Sequence, residues 1–154
     1  AGEEPVKVAI SNYAGCHHDV EAPIDTDNHG MLFLNSAVRF KDIEDGSSRT
    51  LLLGEKLGPR YDAVAADDLG WVSGTRATLR NTSALLSRSY EPAPAADAKP
   101  MDPLAVSGFG SNHPGVVVMA MADGSGLALS ADVDPRVLAQ LGNRADGEIP
   151  LDIE

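Results

Sequence analysis

The chain has 154 residues, of which 43% are hydrophobic and 23% are charged, and this size and balance predict a single globular domain over residues 1–154. Its formal net charge of -11 predicts no binding to nucleic acid, because the phosphates would be repelled, and it disfavours docking on anionic lipid. No apolar run approaches the roughly 18 residues of a membrane helix, and the single cysteine, Cys16, excludes an internal disulfide.

Several short apolar segments in the first half of the chain predict β-strands. Alternating apolar residues are typical of a strand with one buried face, and a short continuous apolar run between turn residues is typical of a buried strand. The turn Asp45-Gly46 leads into one such run. The predicted strands are residues 6–10, 31–34, 50–53, 69–73 and 77–80.

Residues 16–30 are polar and rich in turn formers, which predicts a loop between the first two strands. This segment concentrates a thiol, three imidazoles and several carboxylates, all of which are metal-ligand types. Any chemistry or binding in the first half of the chain is expected here. The candidate ligands are Cys16, His17, His18, Asp19, Asp25, Asp27 and His29.

A zinc or copper site in this loop would combine Cys16 with His17, His18 or His29. The spacing matches no familiar closed site, because Cys16 and His18 share one face of an extended chain while His17 points away. We therefore favour a polar loop held by hydrogen bonds, with a transition-metal site as the alternative.

A calcium site is the third interpretation of the same loop. Asp25 and Asp27 alternate with other residues before His29-Gly30, which is how a helix-loop-helix calcium loop begins. Ser36, however, stands at the twelfth position, where such a loop needs a glutamate. A looser calcium site would use Asp25, Asp27 and backbone carbonyls, with a carboxylate from elsewhere.

The second half of the chain contains the strongest structural pattern. Residues 81–107 are rich in Ala, Pro and Ser without periodicity and predict a long surface loop. The apolar run 116–122 predicts a strand covered on both faces, and residues 127–131 predict its hairpin partner. Asp134-Pro135 and Gly142 mark the ends of a short helix. The predicted fold is α+β, with a mainly antiparallel sheet, a central hairpin and a short C-terminal helix.

His113 and Asp123 invite interpretation as a catalytic base and its orienting carboxylate. Ten residue steps of about 3.3 Å separate them along an extended strand, which places their α-carbons roughly 30 Å apart. We therefore predict structural roles, with His113 bonding backbone groups at the strand entrance and Asp123-Gly124 forming the turn at its far end. No enzymatic activity is predicted.

The spacing of His113 and Asp123-Gly124 resembles the His-X9-Asp-Gly signature of bacterial prepilin-type, pilin-like surface proteins, a large family whose biochemical role is mostly unassigned. Other short segments spread along most of the chain also resemble this family. They are residues 12–15, 42–43, 45–47, 50–55, 108–111, 141–142, 144 and 147–148.

The resemblance implies a pilin-like globular domain that acts as a structural subunit of a cell-surface, pilus or secretion-type (pseudopilin-like) assembly. It also implies self-association or binding to related pilin-like subunits, at the cell surface, in the periplasm or after secretion. The family's basic leader and long apolar anchor helix are missing from this sequence, so membrane contact is expected only through that absent helix. The alternative is a secreted module that binds a metal (calcium, zinc or copper) or another ligand on the same fold.

Overall fold

The computed structural model describes residues 8–58, 69–87, 102 and 104–148, which contain a six-stranded sheet and one short α-helix. A single 3-10 turn at Phe40–Asp42 precedes the second strand. The elements are β1 (Tyr13–His18), β2 (Leu51–Glu55), β3 (Leu79–Ser87), β4 (Gly108–Ser111), β5 (Val116–Met121), β6 (Gly126–Ser130) and α1 (Pro135–Gly142).

The strands lie in the order β4-β3-β1-β2-β5-β6. Pairing is antiparallel for β1 with β2, β2 with β5 and β5 with β6, and parallel for β1 with β3 and β3 with β4. The sheet is therefore mixed and mostly antiparallel, and the predicted α+β class is confirmed. The strand β1, which carries three of the candidate ligands, lies in the middle of the sheet.

The predicted hairpin is confirmed, with Val117 paired to Leu129. Its position differs from the prediction, because β6 is an edge strand and the hairpin lies at one end of the sheet. The prediction that β5 is covered on both faces is wrong. Val117 is fully buried whereas the side chain of its neighbour Val118 is 38% exposed, because the core lies on only one face of this strand.

The C-terminal helix is confirmed with both predicted ends. The Asp134 side chain accepts a hydrogen bond from the Arg136 backbone N–H at 2.8 Å, and Pro135 occupies the first turn. Leu138 and Leu141 are buried in the core. A Cβ on Gly142 would lie 2.1 Å from Thr82 Oγ1, so only glycine lets the end of α1 approach β3 this closely.

Three of the predicted strands are not strands in the described part of the chain. Residues 8–10, 31–34 and 69–73 have no strand geometry. Residues 70–73 form a turn instead, in which the Ser73 N–H donates to the Gly70 carbonyl at 3.1 Å and Gly70 has a φ of 85°. Residues 6 and 7 lie outside the described part of the chain. The first strand is instead β1, so the predicted loop at 16–30 begins inside a strand.

The prediction of a loop from residue 81 onward is wrong for residues 81–87, which continue β3. Hydrophobicity does not reveal this strand because three of its buried side chains are polar. Residues 88–101 and 103 of the predicted loop lie outside the described residues. Over residues 79–85, the part of β3 whose side chains the structure describes, the buried polar side chains are Arg80, Asn81 and Thr82.

The loop before β2 is joined to the turn after α1 by the buried carboxylate of Asp45. Its Oδ2 accepts from the Asp146 N–H at 2.9 Å and its Oδ1 from the Gly147 N–H at 2.8 Å. The Asp45 N–H in turn donates to the Arg144 carbonyl. These contacts hold the chain directly after α1 in place.

The α-helix α1 has eight residues. Within the described ranges there is no helix of the length and apolar character needed to cross a membrane.

Candidate functional site

Side chains from the end of β1 and from the following loop converge at one corner of the sheet. One ligand atom each from His18, Asp19 and His29 lies within 4.8 Å of the others, so the group could hold a metal ion. It is the one such group of three or more His, Cys, Asp or Glu side chains in the described ranges. His18 is buried, Asp19 is half-buried and the His29 side chain is 51% exposed.

The loop reaches this corner because it folds back along β1. The Gly30 N–H donates to the His17 carbonyl at 2.9 Å, and the Met31 N–H donates to the Cys16 carbonyl at 3.0 Å. A Cβ on Gly30 would lie 2.5 Å from the Cys16 carbonyl oxygen, so the close approach requires glycine. The result places the His29 ring centroid 4.4 Å from that of His18.

Arg144, just beyond α1, fixes the backbone on both sides of His29. Its Nη1 donates to the carbonyls of Asn28 at 2.8 Å and Gly30 at 2.9 Å. Its backbone N–H donates to the His29 carbonyl at 3.1 Å, and its guanidinium lies 5.1 Å from the centroid of the Phe33 ring. The helix end therefore positions the loop that carries His29.

Asn143 orients the Asp19 carboxylate. Its Nδ2 donates to Asp19 Oδ2 at 3.0 Å, and its Oδ1 accepts from the Ala145 N–H at 3.0 Å. The backbone carbonyl of Asp19 accepts from the Thr82 hydroxyl at 3.2 Å. Asp19 Oδ2 is therefore occupied by Asn143, while Asp19 Oδ1 faces the two imidazoles.

The contacts inside the group bring electron-rich atoms together. His18 Nδ1 accepts from the Asp19 N–H at 2.9 Å and also contacts Asp19 Oδ1. A protonated Nδ1 donates to Oδ1, whereas an unprotonated Nδ1 accepts from the N–H, so one ring nitrogen cannot satisfy both contacts at once. His29 Nδ1 lies 3.0 Å from the same oxygen. A cation, either a proton or a metal ion, is needed to make this arrangement favourable.

Asp19 supplies the negative charge of the group. Burial acts to raise the pKa of its carboxyl, but hydrogen bonds from Asn143, from its own backbone N–H and from His18 outweigh that effect and lower the pKa. The carboxylate is therefore ionised at neutral pH and available to a cation.

Cys16 and His17 lie outside this group. The Cys16 thiol is fully buried, and burial, with the charge of Asp19 as a second cause, raises its pKa to about 12. It therefore stays protonated at neutral pH, and thiolate is the form that binds metals. His17 is fully buried, with Nδ1 3.0 Å from Asn28 Oδ1.

Asp25 and Asp27 also lie outside the group, on the exposed side of the loop. Asp25 Oδ1 accepts from the Thr26 N–H at 2.6 Å, and the Asp25 N–H donates to Asn28 Oδ1 at 2.8 Å. These bonds form a local turn around Asn28. The oxygen ligands expected for calcium do not converge with Asp19.

Burial of His17 predicts a pH dependence of folding. Burial is the largest cause lowering its pKa from the usual 6.5, so the folded state favours the neutral ring. The stabilisation is present above pH 6.5 and is lost as the pH falls from there towards the lowered pKa of the folded state. In metal-free protein we expect the free energy of unfolding to fall as the pH drops below 6.5.

Urea denaturation at several pH values tests this expectation, and His17→Gln should flatten the dependence in that range. His113→Gln, which removes a histidine whose side chain is 61% exposed, is the matched control. If the free energy of unfolding of His17→Gln depends on pH as steeply as that of the unaltered protein, His17 does not cause the pH dependence.

His113 and Asp123 have separate partners at the two ends of β5. His113 Nε2 lies 3.3 Å from Glu55 Oε1, and Glu55 Oε2 accepts from the Val118 N–H at 2.8 Å. Asp123 Oδ1 accepts from the N–H and the hydroxyl of Ser125, in the turn that leads into β6. Their contacts are those of a strand entrance and a hairpin turn.

We expect His113→Ala and Asp123→Ala each to lower stability slightly and independently, because both side chains are exposed and their partners differ. A double-mutant cycle measured by thermal denaturation should give additive effects. Strong coupling between the two substitutions would contradict the separation of these residues and favour a shared function.

The contributions of Asn143 and Arg144 to the site were not predicted. Both follow α1 and act on residues more than 100 positions earlier in the chain. Arg144 belongs to the segments that resemble the pilin-like family, which was the one available signal. For Asn143 the sequence contained no signal other than its position at the end of the helix.

A family model described as a protein of unknown function (DUF1559) matches residues 7–136 of the chain. The matched region contains all six strands and the three candidate ligands, and it ends within α1. No curated protein and no solved structure matches the chain.

Proposed function

The chain belongs to the DUF1559 family of proteins of unknown function, and since the family leaves the role open, we propose that the domain is a non-enzymatic structural subunit of a bacterial cell-surface, pilus or secretion-type (pseudopilin-like) assembly. It would self-associate or bind related subunits at the cell surface, in the periplasm or after secretion. The observation that carries this proposal is an exposed apolar surface beside the sheet.

This apolar surface joins two segments that are distant in sequence. The Trp71 N–H donates to the Ala9 carbonyl at 2.9 Å, and Gly70 packs against Val8. The Trp71 and Val72 side chains are 62% and 74% exposed. The members of the surface are Val8, Ile10, Leu69, Trp71 and Val72.

Contiguous exposed apolar side chains are typical of protein–protein contact surfaces, and tryptophan is among the residues that contribute most to binding energy. With a net charge of -11, two copies repel each other at long range. A local apolar contact can offset this repulsion, and the Trp71 surface offers one.

Sedimentation equilibrium over a range of protein concentrations tests this proposal. The double substitution Trp71→Ser with Val72→Ser should weaken self-association, because it removes the most exposed apolar side chains of the surface. Val118→Ser, at an exposed apolar position on β5, is the matched control and should leave association unchanged. Equal association of all three proteins would contradict the proposal.

A second candidate function is a metal-binding module, and it is favoured by the His18, Asp19 and His29 group. Two imidazoles and one carboxylate are the ligands preferred by zinc or copper, whereas calcium takes oxygen ligands. We propose a divalent transition-metal ion, with zinc favoured, held by three protein ligands and completed by water.

Titration of the metal-free protein with zinc, followed by calorimetry, tests this second function. We expect His29→Ala to abolish zinc binding, and Cys16→Ser and His113→Ala to retain it. Affinity should fall below about pH 6, where imidazoles become protonated. Zinc binding that survives in His29→Ala, or that is lost in Cys16→Ser while the protein stays folded, would contradict this ligand set.

A further inference from the structure

We infer that an ion bound by His18, Asp19 and His29 acts as a latch, which fixes residues 28–32 and the end of α1 against β1, so that metal supply regulates the stability of this corner. This inference rests on the proposed metal-binding function. It adds to that function a consequence for the fold around the site.

The ligands lie on two segments that are held together mainly by backbone hydrogen bonds. His18 is the last residue of β1 and Asp19 follows it, while His29 lies on the returning loop with its side chain 51% exposed. An ion shared by the two segments would add a link between side chains to the Gly30 and Met31 backbone bonds. Opening of the loop would then require the ion to dissociate.

The charge distribution makes the ion's contribution favourable at this place. Without a cation, Asp19 Oδ1 faces His18 Nδ1, which already accepts the Asp19 N–H. One ligand atom from each of the three residues lies within 4.8 Å of the others, so a single ion could link all three side chains by coordination bonds. The two histidine rings, whose centroids are 4.4 Å apart, would be held in one arrangement.

The helix end is coupled to the ion through two residues that are not ligands. Asn143 Nδ2 donates to Asp19 Oδ2, and the Arg144 backbone N–H donates to the His29 carbonyl. Both are positioning residues, because each bonds a residue that supplies a ligand, and Asn143 Nδ2 also lies 3.4 Å from His29 Nδ1. Holding Asp19 and His29 in place therefore also holds the first residues after α1.

Native-state hydrogen exchange with zinc ions alone tests the latch. The informative amides are those of Gly30, Met31 and Arg144, whose acceptors are the carbonyls of His17, Cys16 and His29. At a zinc concentration 100 times Kd, we expect their exchange by local opening to slow by about 100-fold. Amides of the β5–β6 hairpin, such as Met121 and Ala131, should change much less.

His29→Gln should remove the protection by zinc, whereas His113→Gln should keep it. Zinc binding without local protection, or with equal protection at the hairpin amides, would overturn the latch and leave the metal-binding function standing. A failure of zinc to bind the unaltered protein would overturn the latch together with that function.

Discussion

Replacing Val117 by Asp should unfold the domain at room temperature, whereas Val118→Asp should leave it folded. The Val117 side chain is fully buried in the core and pairs with Leu129 on β6. Burying an unpaired carboxylate there costs several kcal/mol, which is a large part of the 5–15 kcal/mol that stabilises a typical domain. The side chain of Val118 is 38% exposed, so its replacement stays in contact with water.

Circular dichroism and urea denaturation of both variants test this contrast, with Val117→Ala as a milder change at the buried position. Val117→Ala should remain folded and lose about 1–3 kcal/mol through the cavity that it leaves. Equal stability of Val117→Asp and the unaltered protein would show that the Val117 side chain does not face the core.

The hairpin and the helix could be predicted because their signals are local. An apolar run, a turn at Asp123-Gly124 and a capping Asp134 before Pro135 each act on neighbouring residues, and the structure follows them closely. The same local pattern could not show that one face of β5 is exposed to solvent. That outcome depends on the packing of the whole sheet, whose core lies on the Val117 side of β5.

The start of β3 falls in the predicted strand at residues 77–80, but residues 81–87 were predicted as a loop because their burial does not depend on hydrophobicity. Arg80 and Asn81 are fully buried, and Arg80 Nη1 donates to the carbonyls of Arg76 and Leu79. A polar segment that precedes an Ala- and Pro-rich stretch predicts a loop. Only the parallel pairing with β1 and β4 makes it a strand.

The sequence predicted where the candidate site lies but not which of the candidate ligands come together in it. The sequence placed the ligand types in residues 16–30, and the structure brings together His18, Asp19 and His29 from that range. Cys16 was the first ligand expected for a soft ion, yet β1 carries its thiol into the core. The residues that orient the site come from the far end of the chain, which no local pattern could indicate.

Replacing Arg144 by Ala should cause the second large effect, because one side chain connects the helix end to the site. Its Nη1 donates to two carbonyls, those of Asn28 and Gly30, and its guanidinium lies over the Phe33 ring. Charged hydrogen bonds contribute about 1.5–3 kcal/mol each, and a cation–π contact adds about 0.5–1 kcal/mol. We expect a loss of about 2–4 kcal/mol in the free energy of unfolding, measured by urea denaturation.

Arg144→Lys is the matched control, since it keeps the positive charge but not the planar guanidinium that stacks on Phe33. We expect it to recover part of the stability that Arg144→Ala loses. Zinc affinity should fall in parallel, by about 10–100-fold in Arg144→Ala, because the His29 loop loses its support from the helix side. If Arg144→Ala retains both full stability and full zinc affinity, the contacts of Arg144 do not position the His29 loop, and the link between α1 and the site fails.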